Sequence, residues 1–207
     1  MACLWLGAAA YAAEPIKIAH IDPMSGPFAL IGESVGKHLD AVAAEINAKG
    51  GVLGGTQFEI VHFDNKSSPQ ESVLLLKQVT DSGIRYITQG AGSNVAHALS
   101  EALAKHNARN PDGSVLYFNF AAQDPALTNE KCNFWHFRFD AHVDMKLDAI
   151  TNYIARQKDI KRVYLLNQDY AFGQAISKAA REMLTKKRPD IEIVGDDLHP
   201  LGKVKDF

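Results

Sequence analysis

Two hydrophobic rhythms alternate along the chain. "IKIAHI" at 16–21 is a near-continuous apolar run, as expected of a strand covered on both faces in a parallel sheet. From about Gly32 to Lys49 the apolar residues Val35, Leu39, Val42, Ala43 and Ile46 recur at helical spacing, and Gly50 and Gly51 end the element. "QFEIVHF" at 57–63 alternates as a half-buried strand does. Ser68 then caps a helix with Pro69 in its first turn, which runs to Asp81 through Val73, Leu74, Leu76, Lys77 and Val79. The same reading predicts strands at 84–88, 115–120, 134–139, 162–167 and 190–195 and helices at 93–107, 143–157 and 171–186. This alternation is that of an α/β protein, and four βα units followed by a fresh set predict two doubly wound, Rossmann-like lobes in series. The expected division is an N-terminal lobe over 14–123, a hinge or crossover segment over 124–140 that includes the strand at 134–139, and an incomplete C-terminal lobe over 141–207.

Doubly wound sheets bind ligands beyond the carboxyl ends of their strands, so the informative loops are 22–32, 89–94, 121–128 and 168–173. They are built from small residues, hydroxyls and aromatics, which is the lining of a small-molecule pocket more than of a catalytic centre. In the corner "QGAGSN" at 89–94, glycines let the backbone approach a ligand, and the first N–H groups of the next helix with the Ser93 hydroxyl form a natural anion site. A plain helix cap at Ser93 needs the same residues.

Charge narrows the choice. With 22 Lys and Arg against 24 Asp and Glu the net charge is −2, which gives no footprint for nucleic acid or an acidic membrane surface. The opening "MACLWLGAAAYAA" is apolar, ends in small residues and precedes Glu14-Pro15, which fits the remnant of a secretory signal cleaved near Ala12 or Ala13, although a basic leader is absent. Of two cysteines only Cys132 would then remain, so export would not depend on an internal disulfide. The chain stops after a strand without the helix an α/β rhythm calls for, and so reads as a fragment.

Other chemistries fit less well. "GAGSNVA" approaches the dinucleotide loop, but Val95 stands where a small residue belongs and no acidic residue ends the next strand. His136, Asp140, His142 and Asp144 are close in sequence, yet His142 points away from the face shared by the two aspartates, which helix capping explains more simply; no metal or other cofactor is expected. Asp22 and Asp64 end strands as turn formers commonly do, Phe28 suits a hydrophobic staple, and no nucleophile has a base at useful spacing, so no catalytic residue is assigned.

Five stretches, "IKIAHIDPMSGPFALIGESVGKHLDAVAAEINAKGGVLGG", "FDNKSSPQESV", "GAGSNVAHALSEAL", "AAQDPALTNEKCNFWHFRFDAHVDM" and "VYLLNQDYAFGQ", resemble in order the periplasmic substrate-binding proteins of branched-chain amino acid ABC importers. The resemblance implies the type I periplasmic-binding-protein fold, a periplasmic location, a membrane permease as partner, and two lobes closing on an amino acid or related small carboxylate. It implies that Ser93 and Asn94 receive the ligand carboxylate, and that Ala121, Ala122 and Gln123 hold its carboxylate and amino groups, with Gln123 replacing the usual hydroxyl residue. Ile31 stands at an aromatic contact position, and Tyr170 and Phe172 match aromatics of the second lobe. The family's members are longer, and the acidic residue that takes the ligand's ammonium group would lie beyond Phe207. The alternatives are a ligand-sensing domain of a receptor or regulator with the same fold, or an α/β enzyme.

Overall fold

The computed structural model describes residues 13–26, 28–200 and 203–204; the signal-like segment before Ala13 lies outside them. Strands β1 (Ile16–Asp22), β2 (Phe58–Asp64), β3 (Tyr86–Gln89), β4 (Leu116–Asn119) and β5 (His136–Arg138) form one sheet in the order β2-β1-β3-β4-β5, with every neighbouring pair parallel. Helices α1 (Ala29–Ala48), α2 (Pro69–Asp81) and α3 (Ser93–Arg109) connect its first four strands. Beyond them α4 (Val143–Arg156) leads to a second sheet of β6 (Arg162–Gln168) and β7 (Glu192–His199), parallel and joined through α5 (Ala171–Lys187).

Strand parity decides which helix covers which face. Ala19 and Ile21 turn one way and are buried with Leu76 and Val79 of α2 and Val95, Leu99 and Leu103 of α3. Each of the buried Val, Leu and Ile side chains contributes about 1.5–3 kcal/mol. His20 turns the other way, toward α1, where a side chain at Gly36 would sit 3.5 Å from its ring. Helix α1 packs through the small residues Gly32, Gly36 and Ala43, so Val42, although in phase with the helical stripe, is 55% exposed. The Ser68 cap forms as its sequence position predicts, its Oγ accepting from Glu71 N at 3.2 Å.

One expected placement changes. The strand predicted at 134–139 is not part of a passage between lobes: β5 pairs with β4 as the fifth strand of the first sheet, Phe118 opposite Phe137 and Asn119 opposite Arg138. The chain therefore leaves this sheet only after Arg138. Its three residues are too few for periodicity to assign them to a sheet. The aromatics Tyr86, Phe118 and Phe137 lie across neighbouring strands, and Tyr86, Phe137 and Phe139 are exposed.

Both helices that open toward the strand ends start in backbone contact. A Cβ on Gly32 would lie 1.9 Å from the Pro23 carbonyl oxygen, and one on Gly173 would lie 1.9 Å from that of Gln168. Gly32→Ala and Gly173→Ala should each lower unfolding free energy by about 1–3 kcal/mol through overpacking, as read by urea denaturation of the full-length gene product. Unchanged stability would mean that these helices slide freely on their strands.

Candidate functional site

Strands β1 and β3 are neighbours, but α1 and α3 leave them toward opposite faces, so the loops after the two strands diverge and open a crevice. The β6–α5 loop of the second sheet faces it. Together they wall a cavity of ≈ 190 Å³. Phe28 and Ile31 come from the start of α1, Gly90 to Ser93 from the β3–α3 corner, Ala121 to Gln123 from the chain after β4, and Tyr170 and Phe172 from the second sheet. Seven of the eight residues singled out from sequence meet here, from four separated segments; Asn94 is the one outside the lining. Phe28, which the sequence left open between a cleft contact and a hydrophobic staple, faces Tyr170 across the cavity, ring centroids 6.0 Å apart at 64°.

Gly92, at φ 95°, is the residue before α3, and no side chain caps the helix. That backbone conformation suits glycine, and a larger residue there would be strained. Ser93 is thus the first helical residue and not a cap; its buried Oγ accepts from Asp124 N at 3.3 Å and joins the corner to the chain after β4. The N–H groups of Ser93, Asn94 and Val95 have no acceptor among the described residues, whereas Ala96 N bonds Gly92 O at 3.1 Å. Earlier in the corner, Gly90 N and Ala91 N donate to the Asp22 carboxylate, the latter at 2.9 Å. Free donors are therefore concentrated at the helix start, where the helix dipole favours an anion.

Across the cavity, fully buried Asn119 shapes the opposing backbone. Its Oδ1 accepts from Ala121 N at 3.1 Å and Ala122 N at 2.7 Å, and its Nδ2 donates to Ala122 O at 2.9 Å. The Ala121 carbonyl and the Gln123 N–H stay without partners among the described residues. Gln123 Nε2 donates to Asp140 at 2.8 Å, and Asp140 also accepts from Lys146 Nζ at 2.7 Å and Ala141 N at 2.7 Å. The Gln123 amide is so fixed that its Oε1, an acceptor, is the atom left over.

Among the described residues, no charged side chain lines the cavity. Burial pushes the Tyr170 phenol up to about 12, so it stays a neutral donor. Burial, the largest single effect, would raise Asp124, but the hydrogen bonds from His97 at 2.7 Å and from Ala126 N, with the charges of His97 and Lys131, together outweigh it and bring the carboxyl below its usual range. His136, behind Asn119 at 3.2 Å, is depressed from 6.5 to about 4, chiefly by burial. Of the four residues considered for metal, His136 backs Asn119, Asp140 holds Gln123, and His142 and Asp144 sit at the start of α4. Asp64 is a turn holder, accepting from Met24 N, Ser25 Oγ and Lys66 N. Asp22 is not: it is fully buried, and the signal for it lay in the register, which sets His20 beside His62 and Asp22 beside Asp64.

A crevice between two parallel sheets, walled by loops from both, is the two-lobe arrangement in which ligands bind beyond the strand ends. Residues 15–207 match the family model described as periplasmic binding protein, and the chain belongs to that family. It is 32% identical over 203 residues to the Leu/Ile/Val-binding protein homolog 4 of Brucella abortus, covering 97% of this chain and 48% of that one. The closed leucine-, isoleucine-, valine-, threonine- and alanine-binding protein of Brucella ovis superposes with a TM-score of 0.80 at 30% identity, covering 94% of this chain and 50% of the other. A branched-chain amino acid transporter substrate-binding protein of Streptococcus pneumoniae, in complex with isoleucine, gives 0.77 at 26% identity, covering 93% and 51%. The fold is the type I periplasmic-binding-protein fold, and the chain spans about half the length of the relatives it matches.

Because the native His136 resists protonation, the unfolded chain takes up a proton first as pH falls, so this contribution to stability is complete above pH 6.5 and declines toward about 4. Urea midpoints of the full-length gene product should drop across that window, and His136→Gln should flatten the slope. An equal slope in the variant would assign the acid sensitivity elsewhere.

Proposed function

We propose that the protein captures a small carboxylate-bearing solute, an amino acid or related organic acid, between its two lobes in the periplasm and delivers it to the membrane permease of an ABC importer. The observation that carries this reading is the convergence of four loops, one of them from the second sheet, on a single uncharged cavity bordered by free helix-start amides. Family membership and the amino acid-binding relatives support it. In this reading the N–H groups of Ser93, Asn94 and Val95 and the Ser93 hydroxyl receive the carboxylate. The Ala121 carbonyl and Gln123 Oε1 accept from the solute's donor group, while Ile31, Phe28, Tyr170 and Phe172 enclose its body.

The protein acts without turnover: solute binds the closed arrangement better than the open one, and that difference in affinity drives closure. The hinge lies at the end of the 124–140 segment, beyond Arg138, where the chain leaves the first sheet; Arg138 itself ties β5 back to the Asp124 carbonyl at 2.9 Å and to the Thr128 hydroxyl.

A thermal-shift screen of the full-length gene product against amino acids, amides and aromatic acids tests the reading, since a solute that binds only the native state raises the midpoint by mass action. A shift confined to one chemical class is expected; none with any compound, in a folded sample, would favour a sensor or an enzyme. Ser93→Ala should weaken the best solute roughly 10- to 100-fold, the value of a hydrogen bond to a charged group, and should lower the unfolding midpoint without solute only slightly, through the lost acceptor for Asp124 N. Equal calorimetric affinity in the variant would remove Ser93 from the site.

A further inference from the structure

Gln123, which lines the cavity, is fastened twice to the passage between the lobes. Its carbonyl oxygen accepts from Val143 N, the first amide of α4, at 3.0 Å, and its side-chain Nε2 donates to Asp140 at 2.8 Å. Asp140 lies just beyond β5, where the chain leaves the first sheet. It is held in turn by Lys146 Nζ of α4 at 2.7 Å and by Ala141 N at 2.7 Å. Helix α4 packs on α5 of the second lobe, Val143 and Leu147 being buried with Ala179 and Ala180. A line of contacts therefore runs from the second lobe through Asp140 to the cavity wall.

The chemistry of its members fixes the sense of that line. A carboxylate paired with an ammonium group only accepts, so it takes the NH2 end of the Gln123 amide. The amide is planar, and turning Nε2 to Asp140 turns Oε1 away from it. That oxygen has no partner among the described residues. With Asp140 displaced, the amide is free to flip and to offer a solute N–H groups instead. The neighbouring charges are spent elsewhere: Arg138 donates to the Asp124 carbonyl and to Thr128, and Asp144 lies against His142 at 3.9 Å.

We propose that Asp140 is a positioning residue through which the second lobe sets the polarity of the cavity wall. Held by α4, it keeps Gln123 an acceptor. The site then favours a carboxylate whose neighbouring carbon bears an N–H donor over the same skeleton with a carbonyl oxygen at that carbon. This selection operates while Lys146 and Asp140 stay in contact, so a movement of α4 that parts them also changes what the wall accepts. The link to solute choice rests on the function proposed above, whereas the fixing of the amide does not.

The test has two arms, both on the full-length gene product. Without solute, in isotope-labelled protein, the Gln123 side-chain amide is assigned by its loss in Gln123→Leu. It should show two widely separated proton resonances and slow hydrogen exchange, and both signs of fixation should vanish in Asp140→Ala. Lys146→Glu sets a second carboxylate against Asp140, and an acid is well tolerated in the first turn of a helix. In that variant the exchange of the Gln123 amide should speed up.

With solute, calorimetry compares L-leucine with α-ketoisocaproate and L-phenylalanine with phenylpyruvate, pairs that differ only at the carbon beside the carboxylate. Preference for the amino member should fall roughly tenfold in Asp140→Ala, the value of one mispaired polar group, and by less in Lys146→Glu. The keto acid should gain affinity as the amide flips, whereas a merely structural strap would weaken both members alike. A native Gln123 amide spectrum or an unchanged preference in Asp140→Ala overturns the proposal. An unchanged amide in Lys146→Glu overturns the part assigned to α4. Failure of every compound to bind, with the amide fixed as expected, would refute the function proposed above and still support the positioning of Gln123 by Asp140.

Discussion

The Asp22 carboxylate ties the end of β1 to the start of the β3–α3 corner, and the geometry of the cavity depends on it. A buried carboxylate is stable only when its hydrogen-bonding capacity is filled. Here two backbone N–H groups and one imidazole fill it. Since those amides belong to a glycine-rich turn with little internal structure of its own, the carboxylate sets where the turn runs. Everything downstream follows from that path: where α3 begins, which of its amides are unpaired, and how close Ser93 comes to Asp124.

The same device recurs opposite. Asn119 clamps Ala121 and Ala122 as Asp22 clamps Gly90 and Ala91, in each case a buried polar side chain near a strand end seizing the backbone just beyond it. Side chains that shape the loops are thus distinct from the groups facing the cavity, which are backbone, hydroxyl, amide or aromatic. Residues of the wall can therefore change while both clamps stay in place.

The order and type of elements were legible because apolar periodicity is strong, and the corner stood out because its glycines interrupt it. Tyr170 and Phe172 were legible for a related reason, lying between a strand end and a helix start. β5 could not be placed, since three residues carry no period and only pairing with β4 shows where they belong. A plain cap stood beside the anion-site reading of Ser93 because hydroxyls prefer that position, but Gly92 takes it and the hydroxyl reaches another segment. Phe28 and Asp22 were ambiguous because their partners, Tyr170 and Gly90–Ala91, are far away in sequence. The His20–His62 contact was present in the alternation of two strands, but only their register reveals it.

The membership of β5 in the first sheet also bears on how the molecule is made. All five strands of that sheet lie before the first residue of α4, so each can pair with chain already synthesised. The clamps at Asp22 and Asn119 close within this same stretch, giving the corner its shape before β6 exists. A chain emerging N-terminus first can therefore assemble one wall of the cleft as a template against which Tyr170 and Phe172 later dock, and errors in the second sheet need not undo the first.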